Sequence, residues 1–164
     1  MKEVFNKPYV AIPIKESPLL AWLKTINRDA HFFHMSLFFL GKMNETELAA
    51  LKAVLENDLN IANGINLEPL RVELFGVHQK TQVLKLKPIE GAEALFSALS
   101  EKFPAHSSLN LPFDPHITIK KYDHVSIPPM NVSLPELETY RARSVGIYYR
   151  TEEGATALLY SRRI

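Results

Sequence analysis

The sequence predicts an α+β fold of two similar lobes, each an antiparallel sheet with helices outside. The order strand, helix, strand occurs twice, and each time the last strand holds a histidine two residues before a hydroxyl residue. The intervening helical segments keep their apolar residues on one face, as helices packed on a sheet do. At 164 residues the chain is expected to be one domain, residues 1–164, with a cleft between pseudo-symmetric lobes.

The first half is predicted to contain two strands and two helices. Ser17 can cap a helix that starts at Pro18, where proline is well tolerated. Asn44 and Glu47 have the spacing of a capping box for a second helix, which should stop near Gly64. The predicted elements are a strand over 9–14, a helix over 18–26, a histidine strand closed by Gly41, and the helix after Asn44.

The second half repeats this order and adds two closing strands. Gly76 marks a turn between two strand-like segments, and Pro115 is tolerated at the first position of the second histidine strand. Glu153 and Gly154 mark a further turn. The predicted elements are strands over 67–75 and 81–86, a helix over 92–103, the His116 strand, and strands over 141–150 and 155–162.

Two short motifs carry the chemical information: His34-x-Ser36 and His116-x-Thr118. Side chains at positions i and i+2 of a strand point to the same face, so each motif places an imidazole beside a hydroxyl. One such motif is more often structural than functional. Two motifs at equivalent positions of a repeated pattern indicate a site. If the two strands are neighbours, one imidazole can accept a proton while the other donates one to a phosphate ester.

Composition excludes several classes of function. Lys and Arg number 19 against 18 Asp and Glu, which is too balanced for a protein that coats duplex nucleic acid but permits a local pocket for a small anion. The chain has no cysteine, so disulfides, thiolate zinc sites and cysteine nucleophiles are excluded. The sequence shows no signal peptide and no stretch long enough to span a membrane, so we expect a cytoplasmic protein and a monomer.

The paired motifs resemble those of the 2H phosphoesterase superfamily, and most of all its LigT-like branch, the 2′-5′ RNA ligases or RNA 2′,3′-cyclic phosphodiesterases. The resemblance spans nearly the whole chain. It implies a bilobal α+β fold and metal-independent opening of 2′,3′-cyclic phosphates to 2′-phosphates, without a cofactor. It also implies reversible joining or cleavage of 2′-5′ linkages without ATP. The matching residues are His34-x-Ser36-Leu37-x-Phe39-Leu40-Gly41 and Pro115-His116-x-Thr118-Ile119.

Each site residue has an expected role. His116 is expected to be the base and His34 the acid, although the near-symmetry of the motifs allows the reverse. Ser36 and Thr118 are expected to bind the phosphate oxygens. Ser36 departs from the threonine usual in the family, and is less rigid.

A lysine is expected to add positive charge to the phosphate site. The family commonly has an arginine five residues after the second histidine, where this chain has Lys121, preceded by Lys120. Lysine keeps the charge but not the bidentate geometry. Strict alternation places Lys120 on the face of His116, and a β-bulge would be needed to bring Lys121 there.

Several other residues have two interpretations. Phe113, Tyr148 and Tyr149 could stack a base, although aromatic residues in strands are more often part of the core. His31 and His34 have a spacing that metal ligands use, but no acidic residue accompanies them, so no metal is expected.

Two residues near the turns are weaker candidates. Asp114 could orient an imidazole but fits a turn residue before Pro115 better, and His78 fits a solvated loop.

The expected substrates are RNA or oligonucleotide ends and cyclic-phosphate nucleotides. One alternative is an RNA-end or nucleotide-binding module with little turnover, although binding alone does not need two titrating groups. Another is a phosphodiesterase for 2′-5′ or cyclic oligonucleotide signals. Because loops around a cleft set substrate choice, the sequence does not separate these.

Overall fold

The computed structural model describes residues 4–57, 64–110, 113–129 and 132–164. Its helices are α1 (Pro18–Ile26), α2 (Glu45–Asn57), α3 (Glu90–Lys102) and a short 3-10 helix (Pro104–Leu109). Its strands are β1 (Val4–Phe5), β2 (Tyr9–Pro13), β3 (His34–Phe39), β4 (Met43–Asn44), β5 (Ile65–Leu67), β6 (Pro69–Phe75), β7 (Thr81–Leu86), β8 (His116–Lys121), β9 (Tyr140–Ala142), β10 (Ser144–Arg150) and β11 (Thr156–Arg163).

A seven-stranded antiparallel sheet forms the centre of the molecule, in the order β11-β10-β2-β3-β8-β7-β6. The two histidine strands, β3 and β8, are neighbours in its middle and are joined by the pairing of Met35 with Ile117. The pairings of β2 with β3 and of β7 with β8 are much longer. The α+β class and the antiparallel sheet are therefore confirmed. The division into two lobes, and the single-domain boundary at 1–164, stay predictions.

The helices connect the two halves of the sheet in a reciprocal way. α1, from the first half, contacts β8, and α3, from the second half, contacts β3. After α1, the Asn27 side chain donates a hydrogen bond to the Ile119 carbonyl at 2.8 Å. After α3, the Asn110 amide oxygen accepts from the Phe39 N–H at 2.6 Å and its Nδ2 donates to the Phe39 carbonyl at 3.0 Å. Each helix is thus tied to the histidine strand of the other half.

The helix-start signals in the sequence are confirmed by hydrogen bonds. Ser17 Oγ accepts from the Leu20 N–H at 3.2 Å. The Asn44 side chain accepts from the Glu47 N–H at 2.8 Å, and Glu47 accepts in return from the Asn44 N–H at 3.3 Å. The end of α2 was predicted near Gly64; the helix is described as far as Asn57, and residues 58–63 lie outside the described ranges. Within the described ranges, no helix has the length and apolar character needed to cross a membrane.

Two predicted strands are each divided in the structure. The prediction over 67–75 corresponds to β5 and β6, and the prediction over 141–150 to β9 and β10. β5 and β9 leave the large sheet and pair with each other as a separate antiparallel ribbon. The chain bends into the large sheet at Pro69, which has no N–H to donate to a continuing ladder.

Candidate active site

The register at the centre of the sheet brings together the four groups that the motifs predicted. His34, Ser36, His116 and Thr118 are all half-buried, whereas the residues between them point to the core and are fully buried. Because Met35 pairs with Ile117 in antiparallel fashion, His34 lies beside Thr118 and Ser36 beside His116. The two imidazoles are then diagonal neighbours, whose Cβ atoms are typically somewhat less than about 7–8 Å apart.

A β-bulge in β8 decides which lysine faces these groups. Pairing with β7 resumes two residues after Thr118, so Ile119 is the extra residue. Lys120 pairs with Gln82, which is fully buried on the core side, and its ammonium lies 5.2 Å from the Tyr122 ring centroid. The next residue, Lys121, returns to the face of Thr118. The structure therefore contains the bulge that strict alternation lacked, and Lys121 faces the histidines.

A matching bulge in β3 places an aromatic residue on the same face. Pairing with β2 skips Leu37, so Phe39 returns to the side of Ser36. Its side chain is 46% exposed, and its ring centroid lies 6.2 Å from that of Tyr9. Phe39 follows His34 by the same five residues that separate Lys121 from His116. The position of Phe39 on this face was not predicted from the sequence. The five-residue spacing, which occurs in both histidine strands, was a signal for it.

An aromatic enclosure surrounds His34. Its ring stacks on Phe32 with centroids 4.7 Å apart and lies 5.3 Å from Tyr9, while Tyr148 packs 4.8 Å from Phe32. Burial lowers the pKa of His34 from 6.5 to about 4. The positive charges of His116 and Lys121 also lower this pKa, whereas the interaction with the Phe32 backbone raises it. Nδ1 of His34 has no hydrogen-bond partner in normal geometry. In the free protein His34 is therefore neutral at neutral pH.

The residues just before β8 orient the His116 side chain. Its Nδ1 lies 2.8 Å from the Asp114 carbonyl oxygen, and since a carbonyl can only accept, Nδ1 is the donor. In the neutral ring the Nε2 lone pair is then free. The Asp114 carboxylate forms an ion pair with Lys85, which lies opposite His116 in β7, and the Phe75 ring packs edge-on to His116 at 5.2 Å. Asp114 thus orients the imidazole through its backbone carbonyl, whereas residues 113–115 form no turn, so the turn expected at Asp114 is not observed.

The two residues expected to stack a base lie elsewhere. Phe113 stacks on Phe96 at 4.8 Å, on the side of the core, and Tyr149 packs edge-on against Phe5 at 5.8 Å. Tyr148, which is 7% exposed, is the member of the tyrosine pair that lies in the enclosure around His34. Base stacking by Phe113 or Tyr149 stays a prediction without support from these contacts.

The remaining histidines near the motifs stand apart from this arrangement. His31 is exposed in the segment before β3, and His78 is exposed in the β6–β7 turn, where Gly76 adopts a φ of +93°. In the described part of the chain, no three His, Asp or Glu side chains are grouped so that they could hold a metal ion.

Comparison with known proteins finds the same fold in solved structures. No sequence-family model and no curated protein matches the chain. E. coli LigT complexed with 3′-AMP superposes with a TM-score of 0.70 at 19% identity, over 99% of both chains. The protein TT0787 of Thermus thermophilus gives a TM-score of 0.71 at 18% identity, over 96% of this chain and 97% of that one.

A third solved structure has the same fold. A protein described as a phosphoesterase gives a TM-score of 0.69 at 20% identity, over 97% of this chain and 98% of that one. These identities establish a shared fold, and the near-complete coverage agrees with the extent of the resemblance found in the sequence. Across almost its entire length, the chain has the fold of LigT.

Proposed function

We propose that the protein is a metal-independent phosphodiesterase that opens 2′,3′-cyclic phosphates at RNA or nucleotide ends to 2′-phosphates. The same site could act on 2′-5′ linkages, because such a linkage presents an equivalent phosphodiester. The observation that carries the proposal is the diagonal placement of two histidine–hydroxyl pairs across the β3–β8 junction. The fold shared with LigT, which has been solved with 3′-AMP and with phosphate, supports a nucleotide substrate.

His116 suits the role of general base. Its Nδ1–H is held by the Asp114 carbonyl, so Nε2 of the neutral ring presents its lone pair to the site. Nε2 removes a proton from water, and the water oxygen forms a bond to phosphorus. This supports the role expected from the sequence.

His34 then acts as the general acid from the opposite side of the phosphate. Its low pKa means that the ring carries no proton at neutral pH before the substrate arrives. An anion within about 4–6 Å raises the pKa of a neighbouring group by roughly 1–3 units, so the bound phosphate increases the fraction of His34 that carries a proton. As the bond from phosphorus to O3′ breaks, His34 donates that proton to the leaving oxygen and the product is a 2′-phosphate.

Ser36, Thr118 and Lys121 stabilise the phosphate in this scheme. The two hydroxyls flank the gap between the imidazoles and can donate hydrogen bonds to the non-bridging oxygens. Lys121 supplies positive charge where negative charge develops during attack. The cytoplasmic location and the monomeric state remain predictions from the sequence.

The test is product analysis in EDTA. Purified protein is incubated with a short RNA that ends in a 2′,3′-cyclic phosphate, and separately with a 2′-5′-linked dinucleotide. We expect a 2′-phosphate end that is absent in His34→Ala and in His116→Ala, while the His124→Ala control, at an exposed position outside the cavity lining, keeps full activity. A folded protein that binds the RNA without product would favour the binding module, and a 3′-phosphate product would contradict the mechanism.

A further inference from the structure

A cavity of about 310 Å³ lies directly beside the enclosure around His34. Phe32 and Tyr148 form its boundary with that enclosure, because the two rings that pack around His34 also line the cavity. Its remaining surface is largely apolar and comes from the end of β2, from α1 and from the segment before β3, including Ile14, Leu20 and Phe33. The volume is at the lower end of the range of ligand pockets, which suits one planar heterocycle.

Two lysines add positive charge to the lining of this cavity. Lys15 and Lys24 line it together with His31, and no carboxylate does. Neither lysine forms an ion pair with any residue in the described ranges. The backbone at Lys15 is held in place, since its N–H donates to the Tyr140 hydroxyl at 2.9 Å and that hydroxyl donates to the Pro13 carbonyl at 3.1 Å. A largely apolar cavity that is also lined by two lysines is complementary to a nucleobase attached to a phosphodiester.

The position of the cavity indicates which nucleotide it would hold. In the proposed reaction the ribose is bonded to the leaving oxygen, which receives its proton from His34. The ribose and the chain on its 5′ side must therefore extend on the His34 side of the phosphate, toward Phe32 and Tyr148. Water approaches from the other side, near His116.

We infer that this cavity is a second subsite, which binds the nucleotide preceding the one that carries the cyclic phosphate. Its base enters between Phe32 and the apolar wall, and the phosphodiester that joins the two nucleotides meets Lys15 and Lys24. This inference rests on the proposed function and narrows it: the substrate class is an oligonucleotide end of at least two nucleotides.

The test compares kcat/KM for a dinucleotide and for a mononucleotide, each with a terminal 2′,3′-cyclic phosphate. Stacking of one base on aromatic side chains predicts a preference for the dinucleotide of about 5- to 150-fold. The Lys15→Ala/Lys24→Ala variant should lose the part of this preference that comes from the phosphodiester and keep its mononucleotide activity. The matched control Lys87→Ala/Lys102→Ala removes the same charge from exposed positions outside the cavity lining and should retain the preference. A dinucleotide with an abasic preceding residue should keep only the lysine-dependent part.

Two outcomes would overturn the subsite. One is equal kcat/KM for the two substrates in the wild type. The other is a dinucleotide preference that the Lys15→Ala/Lys24→Ala variant retains in full. Equilibrium binding of the corresponding 2′-phosphates separates this inference from the proposed function. Absence of turnover with a lysine-dependent preference in binding would contradict the activity alone, whereas equal affinities would contradict the subsite.

Discussion

Adjacent lysines of equal charge differ here in what they can do, because they point to opposite faces of β8 and one extra residue in the strand decides which of them faces the histidines. Lys121 faces the histidines, and Lys120 lies over Tyr122. Loss of a charged hydrogen-bond donor to phosphate costs about 1.5–3 kcal/mol. We therefore predict that Lys121→Ala lowers kcat/KM about ten- to hundredfold, while Lys120→Ala changes it by less than about threefold. Steady-state kinetics on a cyclic-phosphate substrate measures both, and equal losses would contradict the placement by the bulge.

His34 offers a direct test of how the acid acquires its proton. Its pKa is about 4 in the free protein because the ring is buried among aromatic side chains. We predict that saturation with a nucleoside 2′-phosphate raises this pKa by at least about one unit, since the bound anion stabilises the imidazolium. Titration of the ring protons by NMR with and without the ligand measures the change. A pKa that stays near 4 in the complex would mean that His34 cannot be the acid.

At the scale of single residues, the sequence was enough to predict the motif groups but not their surroundings. The i, i+2 rule placed His34 with Ser36 and His116 with Thr118, since it depends only on local strand geometry. The face of the sheet on which Lys121 lies depends on a β-bulge in β8. That bulge is set by the pairing of β8 with β7, which local sequence does not specify.

At the scale of secondary-structure elements, hydrogen bonds from asparagine side chains tie each helical segment to the distant histidine strand. Asn110 satisfies both the N–H and the carbonyl of Phe39, so Asn110→Ala leaves two backbone groups without this partner. We predict a loss of about 1–3 kcal/mol in the free energy of unfolding, measured by urea denaturation. Asn27→Ala, which removes one bond, should cost less. The exposed Asn6→Ala serves as control, and a loss no greater than that of the control would contradict this role.

Periodicity and capping residues predicted the helices and most strands well, because these signals are written in neighbouring residues. The capping box of Asn44 and Glu47 forms as expected. The separate ribbon of β5 and β9 was missed because it depends on which segments pair across more than seventy residues of sequence.

At the scale of the whole molecule, burial of His34 couples folding to pH. Its folded pKa of about 4 lies below the ordinary value of 6.5, so the unfolded chain binds this proton more readily. Stability should be complete above about pH 6.5 and fall by roughly 3 kcal/mol as pH drops toward 4. Urea unfolding at pH 7 and pH 4.5 measures the loss. His34→Gln, which cannot titrate, should lose distinctly less, and equal losses in the two proteins would contradict the burial argument.

The overall topology was predicted only in part. The repeated order of elements indicated two related halves, and the reciprocal contacts of α1 with β8 and α3 with β3 agree with such a repeat. The continuity of the sheet through the Met35–Ile117 pair could not be predicted, since no local signal states which strand edges meet.

In the proposed mechanism, His34 and His116 act as acid and base on opposite sides of one phosphate. The most direct measurement compares a cyclic phosphate with a nucleoside 2′-phosphate ester of p-nitrophenol, whose leaving anion needs no proton. We predict that His116→Ala loses activity on both substrates, whereas His34→Ala loses it only on the cyclic phosphate. The reverse pattern would exchange the two roles. Full activity of either variant on the cyclic phosphate would contradict the two-histidine mechanism.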